Sequence, residues 1–81
     1  MTLYEFNALD EMEQAEAIWE GVHIGERWDQ VHNILLYQID SFYVEVFYHR
    51  VLNVIRRIRS FSSTEQLAPY LGKIDIDGLT F

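Results

Sequence analysis

The chain has no cysteine. That excludes disulfides and thiolate-ligated metal sites as reinforcement. No stretch approaches the ~20 apolar residues that a membrane-spanning helix needs. The first residues show no basic region followed by an apolar run, so no signal peptide is expected. The expectation is a cytoplasmic protein that stays off membranes. Internal repeats and low-complexity segments are absent. So are a glycine-rich phosphate loop, a nucleophile–base motif and a paired-carboxylate signature. The sequence is therefore read as non-enzymatic, with no catalytic residue and no cofactor. His23, His32 and His49 are the only histidines and none lies at ligand spacing from another, so no metal is expected.

Basic residues are scarce. Six Lys and Arg stand against thirteen Asp and Glu, for a net charge of −7. The first twenty residues carry Glu5, Asp10, Glu11, Glu13, Glu16 and Glu20 and no Lys or Arg. The simplest reading is a solvated helix face. The alternative is an inhibitor or immunity-type protein whose Glu13 and Glu16 meet a basic partner. The acidic balance also argues against nonspecific nucleic-acid binding, since phosphates need local positive charge.

What is present is apolar and aromatic. Hydrophobic residues make up 49% of the chain and aromatics 15%, enough for a packed core rather than disorder. Eighty-one residues make a single domain, 1–81, with a modest core. Oligomerisation commonly reinforces such chains.

The best-defined segment is 42–61, rich in the β-branched and aromatic residues that suit a pleated surface. Asn53 tolerates a left-handed backbone, so it marks a turn between two strands. A three-residue loop, Val51-Leu52-Asn53, places Arg50 opposite Val54, Val46 opposite Ile58 and Glu45 opposite Arg59. A two-residue loop would set Val46 against Arg57 and Glu45 against Ile58. The first is favoured because it pairs opposite charges across the strands.

Upstream, Leu9, Met12, Ala15 or Glu16, and Trp19 follow helical spacing with Ile18 beside them. Asn7 is the expected N-cap of a helix over 8–20, which Gly21 ends. Val22, Ile24 and Trp28 alternate over 21–28, with Gly21 and Gly25 pointing to an edge or bent strand. A polar loop at 29–33 leads to a strand over 34–39. An Asp40-Ser41 turn then sets Ile39 against Phe42, Tyr37 against Val44 and Leu35 against Val46. After Phe61, Ser62 with Glu65, or Ser63 with Gln66, reads as a capping box. It opens a short helix over 63–71 with Leu67, Tyr70 and Leu71 apolar. Pro69 limits this helix and Gly72 stops it. The tail, 73–81, alternates Ile74 and Ile76 with Asp75 and Asp77. The expected fold class is α+β: an N-terminal helix, a four-stranded antiparallel meander, a short C-terminal helix and a tail.

Alternation puts Phe42, Val44, Val46, Tyr48, Val54 and Ile58 on one face, interrupted by Arg56. The other carries Tyr43, Glu45, Phe47, His49, Ile55, Arg57, Arg59 and Phe61, joined by Ile34, Leu36 and Gln38. Both faces are thus largely apolar, whereas a sheet with one wet face alternates cleanly. A helix, the tail, a second subunit or a partner must cover the second face.

On that face Glu45, Arg57 and Arg59 form the densest charge group. It reads as a cross-strand ion pair or as an anion site flanked by Tyr43 and Phe47. Arg57 and Arg59 beside Tyr43, Phe47 and Phe61 also suggest a surface on which bases could stack. Trp19 and Trp28 read as core or rim aromatics. Val51 and Leu52 are unusual at a turn tip, where polar residues prevail, and suggest an interface.

The run Phe42-Tyr43-Val44-Glu45-Val46-Phe47-Tyr48, with Ile55, Arg59-Ser60-Phe61, Ser63-Thr64, Leu67 and Pro69-Tyr70-Leu71, resembles small uncharacterised bacterial proteins. The resemblance covers about half of the chain. It implies a natural bacterial origin and transfers no activity or functional residue.

The leading expectation is a protein–protein interaction module that forms a homodimer through the second face, by Ile34, Leu36, Tyr43, Phe47 and Phe61, with Val51 and Leu52 at the edge. The alternatives are a sheet-based nucleic-acid binder using Arg57 and Arg59, and the acidic inhibitor.

Overall fold

A computed structural model describes residues 1–70. Two short helices stand where a single one over 8–20 was expected. Helix α1 (Leu3–Asn7) is capped by Thr2, whose Oγ1 accepts from the Glu5 N–H while the Glu5 carboxylate accepts from the Thr2 N–H. Helix α2 (Glu11–Glu20) repeats the device with Asp10 and Glu13. Two capping boxes in succession break the segment, because each fixes a helix start. Asn7 therefore ends the first helix rather than capping the second. Its side-chain carbonyl accepts from the Ser60 hydroxyl at 2.5 Å.

Four strands follow: β1 (Val22–Trp28), β2 (His32–Ile39), β3 (Phe42–His49) and β4 (Ile55–Phe61). They form an antiparallel sheet in the order β1-β2-β3-β4. A 3-10 helix, Thr64–Tyr70, follows. The α+β meander expected from the sequence is the observed one. Residue 71 of the expected terminal helix, the Gly72 stop and the tail at 73–81 lie outside the described residues.

The turn at Asp40 and Ser41 takes the expected register, with Ile39 opposite Phe42, and Asp40 adopts φ 50. Strand β1 is an edge strand with a bulge between His23 and Gly25, as its glycines implied. The β3–β4 hairpin is partly different. His49 N–H donates to the Val54 carbonyl, so the loop spans 50–53, one residue longer than expected. Near the tip Tyr48 pairs with Ile55. Arg56 is then bulged, and the ladder resumes as Phe47 with Arg57, Val46 with Ile58 and Glu45 with Arg59. Each of the two registers weighed from the sequence holds for part of the hairpin. The bulge turns Ile55 onto the first face, where it packs beside Tyr48.

The two helices cover the first face. Phe6 and Ile18 bury against Tyr37, Ile39, Phe42, Val44 and Val46, with the Phe6 and Phe42 rings 5.5 Å apart. Each such apolar side chain contributes about 1.5–3 kcal/mol on full burial. Because α1 already fills the space over Phe42, α2 sets Ala17 and Ile18 against the sheet, with Trp19 edge-on to Tyr37 at 6.1 Å. Met12, on the apolar stripe of the expected helix, is 74% exposed, and Trp19, read as a core or rim aromatic, sits at the rim, 59% exposed.

The 3-10 helix covers part of the second face. Leu67 and Tyr70 pack on Leu36 and Phe61, with Ile24 and Tyr43 alongside. Leu36 and Phe61 are consequently buried within the chain, and Ile34 is buried as well. They are not available to a partner, which removes the centre of the interface expected from the sequence.

Candidate functional site

Glu45 sits mid-strand on β3, 1% exposed, where an unpaired carboxylate would be very costly. It is paired three times. Arg59 Nη1 donates at 2.7 Å, Arg27 Nη2 at 3.1 Å and the Tyr70 hydroxyl at 2.6 Å. The second nitrogen of Arg59 donates to Gln66 Oε1. Burial, reinforced by the Glu45 charge, pushes the Tyr70 hydroxyl well above its ordinary range, so it remains a neutral donor. The cluster ties β1, β3, β4 and the 3-10 helix to one carboxylate.

Sequence reading found Glu45 and Arg59 but assigned Arg57 to the group, and it missed Arg27, Gln66 and Tyr70. A carboxylate on an apolar face signals that partners must exist. Their identity is set by contacts 18 and 25 residues away along the chain, which local spacing does not encode.

Arg57 lies one row further along the sheet. Arg27, Ile34, Phe47 and Arg57 stand side by side across the four strands. The Arg27 and Arg57 guanidiniums lie 5.9 and 5.5 Å from the Phe47 ring centre. His32 meets the same ring edge-on at 5.8 Å. Arg57 is exposed and has no carboxylate partner among the described residues. Arg59 instead lies over Phe61, and that ring stacks on Tyr43.

This row borders the end of the sheet that, among the described residues, the helices cover least; Tyr70 reaches the row only at Arg27, 5.6 Å from its ring centre, and Ile34 is buried. The helices and the 3-10 helix both gather towards the Asp40 turn. The opposite end carries the β1–β2 and β3–β4 loops, which are laced together. Arg50 N–H donates to the Val31 carbonyl at 2.8 Å, and Arg50 Nη1 to the Asp29 carbonyl at 3.2 Å. Asp29 Oδ1 accepts from the Val31 and His32 N–H groups, and these bonds hold its carboxyl below the usual range. His49 Nδ1 accepts from the Val51 and Leu52 N–H groups, which requires that nitrogen to carry no proton.

Trp28, Val31, Val51, Leu52 and Val54 are all exposed at this end, Val51 by 85%. An open cleft of about 530 Å³ runs beside them, lined by Glu26, Trp28, Asn33, Leu35 and Tyr48 among others. Of the residues expected at an interface, Val51 and Leu52 are exposed and Tyr43 and Phe47 half-buried. Glu13 is engaged as a capping residue, while Glu16 is exposed on α2.

Among the described residues no three His, Asp or Glu side chains converge as a metal site would require. No helix among them is long and apolar enough to cross a membrane. No protein-family model, no curated protein and no solved structure matches the chain.

Proposed function

We propose that the protein is a small cytoplasmic, non-enzymatic interaction module that associates with itself through the uncovered end of its sheet. The observation carrying this reading is the pair of joined loops that expose Trp28, Val31, Val51, Leu52 and Val54 together. Turn tips are ordinarily polar, and a contiguous apolar end in a small domain marks a contact surface. The dimer interface inferred from the sequence thereby moves from the middle of the second face to its loop end, where Phe47, Val51 and Leu52 remain. The Glu45 cluster supports a holding role, since its carboxylate is engaged by two guanidiniums and a hydroxyl.

The nucleic-acid reading is less favoured. Its aromatic pair, Tyr43 and Phe61, stacks on itself beneath Leu67 and Tyr70, and Arg59 is engaged by Glu45 and Gln66. Light scattering across a range of concentrations tests the proposal. A mass rising above the monomer is expected, with Leu52→Asp weakening association while the circular dichroism is unchanged. A concentration-independent monomer refutes it.

A further inference from the structure

We propose that the surface received by the uncovered end is helix α2 of a second copy, so that the protein associates head to tail. This rests on the self-association proposed above and names the two surfaces that meet. Met12, Glu16 and Trp19 lie at i, i+4 and i+7, one face of a helix. All three are exposed, so two large apolar side chains flank a carboxylate in water. Glu16 has no cationic partner among the described residues. The fold buries Ile18 against the sheet, while of this stripe only Trp19 touches it, edge-on to Tyr37 at 6.1 Å, and stays 59% exposed.

The receiving surface is the row Arg27–Phe47–Arg57 with Val51 and Leu52 at its margin. Arg27, Arg57 and Arg59 set three guanidiniums against the single carboxylate of Glu45. In an acidic chain this is a local positive surplus built around an aromatic ring. The row crosses three interstrand spacings, about 14 Å. From Met12 to Trp19 a helix rises about 10 Å. The stripe thus fits across the row, with Glu16 between the guanidiniums and its apolar neighbours towards Phe47 and the loop tips.

The two surfaces cannot meet within one chain. Helix α2 lies on the first face towards the Asp40 turn, while the row is on the second face at the loop end. Pairing like with like, helix to helix or row to row, sets equal charges together, which costs affinity. A heterologous contact also leaves one helix and one row unfilled at the two ends of every assembly. Growth therefore continues beyond the dimer unless the rotation closes a ring.

The experiment uses two variants of the full chain, Glu16→Lys and Arg57→Glu, each checked for native circular dichroism and melting. The mass of each is measured by light scattering or sedimentation, alone and mixed. Wild type is expected to grow with concentration. Each variant alone is expected to associate at least about tenfold more weakly, the usual scale for reversing a charge in an interface. An equimolar mixture is expected to recover growth with the two variants alternating, because the intact helix meets the intact row and the two charge-reversed surfaces meet each other. The double variant Glu16→Lys/Arg57→Glu is expected to recover association, since the charges are exchanged. Wild-type association that neither single variant weakens overturns the head-to-tail contact and leaves self-association standing. So does a mixture that fails to pair. A wild type that stays monomeric overturns both. Should Arg57→Glu fold poorly, Arg57→Gln replaces it: association weakens likewise, the mixture with Glu16→Lys stops at a one-to-one heterodimer, and the double variant does not recover.

Discussion

Replacing Glu45 tests what holds the C-terminal helix to the sheet. The Tyr70 hydroxyl bond is fully buried and charge-assisted, the kind that contributes about 1.5–3 kcal/mol. The two arginines are 25% and 35% exposed, so water screens their attraction and each contributes about 0.5–1 kcal/mol. Glu45→Ala is therefore expected to cost about 3–4 kcal/mol, near the low end of the range for breaking a buried ion pair. A domain of this length has a total stability of only about 4–12 kcal/mol, so the loss is a large fraction. Glu45→Gln keeps the shape and an acceptor for Tyr70 but loses the charge, and is expected to cost about 1–2 kcal/mol. Urea unfolding followed by circular dichroism gives both values. Limited proteolysis near Ser62 and Ser63 should rise sharply in Glu45→Ala. A double-mutant cycle with Tyr70→Phe should show coupling of about 1 kcal/mol. If Glu45→Ala cost less than about 1 kcal/mol, the carboxylate would not be the anchor, and the apolar contacts of Leu67 and Tyr70 would hold the helix alone.

Three further outcomes are expected. Gly21→Ala is destabilising by about 1–3 kcal/mol, because a Cβ there would lie among neighbouring atoms that cannot all give. Its nearest contacts are the Gln38 carbonyl at 2.9 Å and Ile39 Cγ1 at 3.0 Å. Since φ is an ordinary −79, the reduced entropy of the unfolded chain would otherwise make this change stabilising, so the sign of the shift in melting temperature tests the contact. His49→Ala removes the acceptor for two loop N–H groups and is expected to cost about 1 kcal/mol. His49→Asn should restore much of it, and amide exchange at Val51 and Leu52 reports both. Asp29 has its carboxyl held down first by the Val31 N–H and then by the His32 N–H. A depressed group contributes stability above its unfolded value and loses it as pH falls through the folded one. Exchange protection at Val31 and His32 should therefore fall below about pH 4, the ordinary aspartate range, and Asp29→Asn should remove that dependence.

Much of the sheet was legible because its signals are local. Asp40, Asn53 and the alternation of β2 and β3 fix turn positions and faces within a few residues. The Thr2–Glu5 and Asp10–Glu13 capping boxes were equally local, yet a longer helical spacing from Leu9 to Trp19 obscured them. Of that stripe Leu9 packs on the core and Trp19 meets Tyr37 edge-on while Met12 and Glu16 face water, because periodicity locates an apolar face without saying what meets it. The bulge at Arg56 was hidden for another reason. Two registers one residue apart were each favourable over part of the hairpin, and only a longer loop with an extra residue satisfies both. The partners of Glu45 were beyond local reach, as was the cover that the 3-10 helix gives Leu36 and Phe61.

The placement of covers explains why one end of this small fold carries so much unused surface. The three short helices among the described residues do not span both faces of a four-stranded sheet, and they gather towards the Asp40 turn. The anchors lie there or mid-sheet: the Asn7–Ser60 bond, the Phe6–Phe42 contact and the Glu45 cluster. Beyond Glu45 the second face continues through Phe47 and His49 to the two loops. Those loops are nonetheless ordered by Asp29, His49 and Arg50, whose bonds oppose fraying. Holding exposed valine, leucine and tryptophan in fixed positions costs conformational entropy that the isolated chain does not recover by burial. Contact with another protein surface recovers it, and a preordered end loses less freedom on binding than a mobile one. The hydrogen bonds that tie this end together, as much as its apolar character, are what favour reading it as an interaction surface rather than an incidental patch.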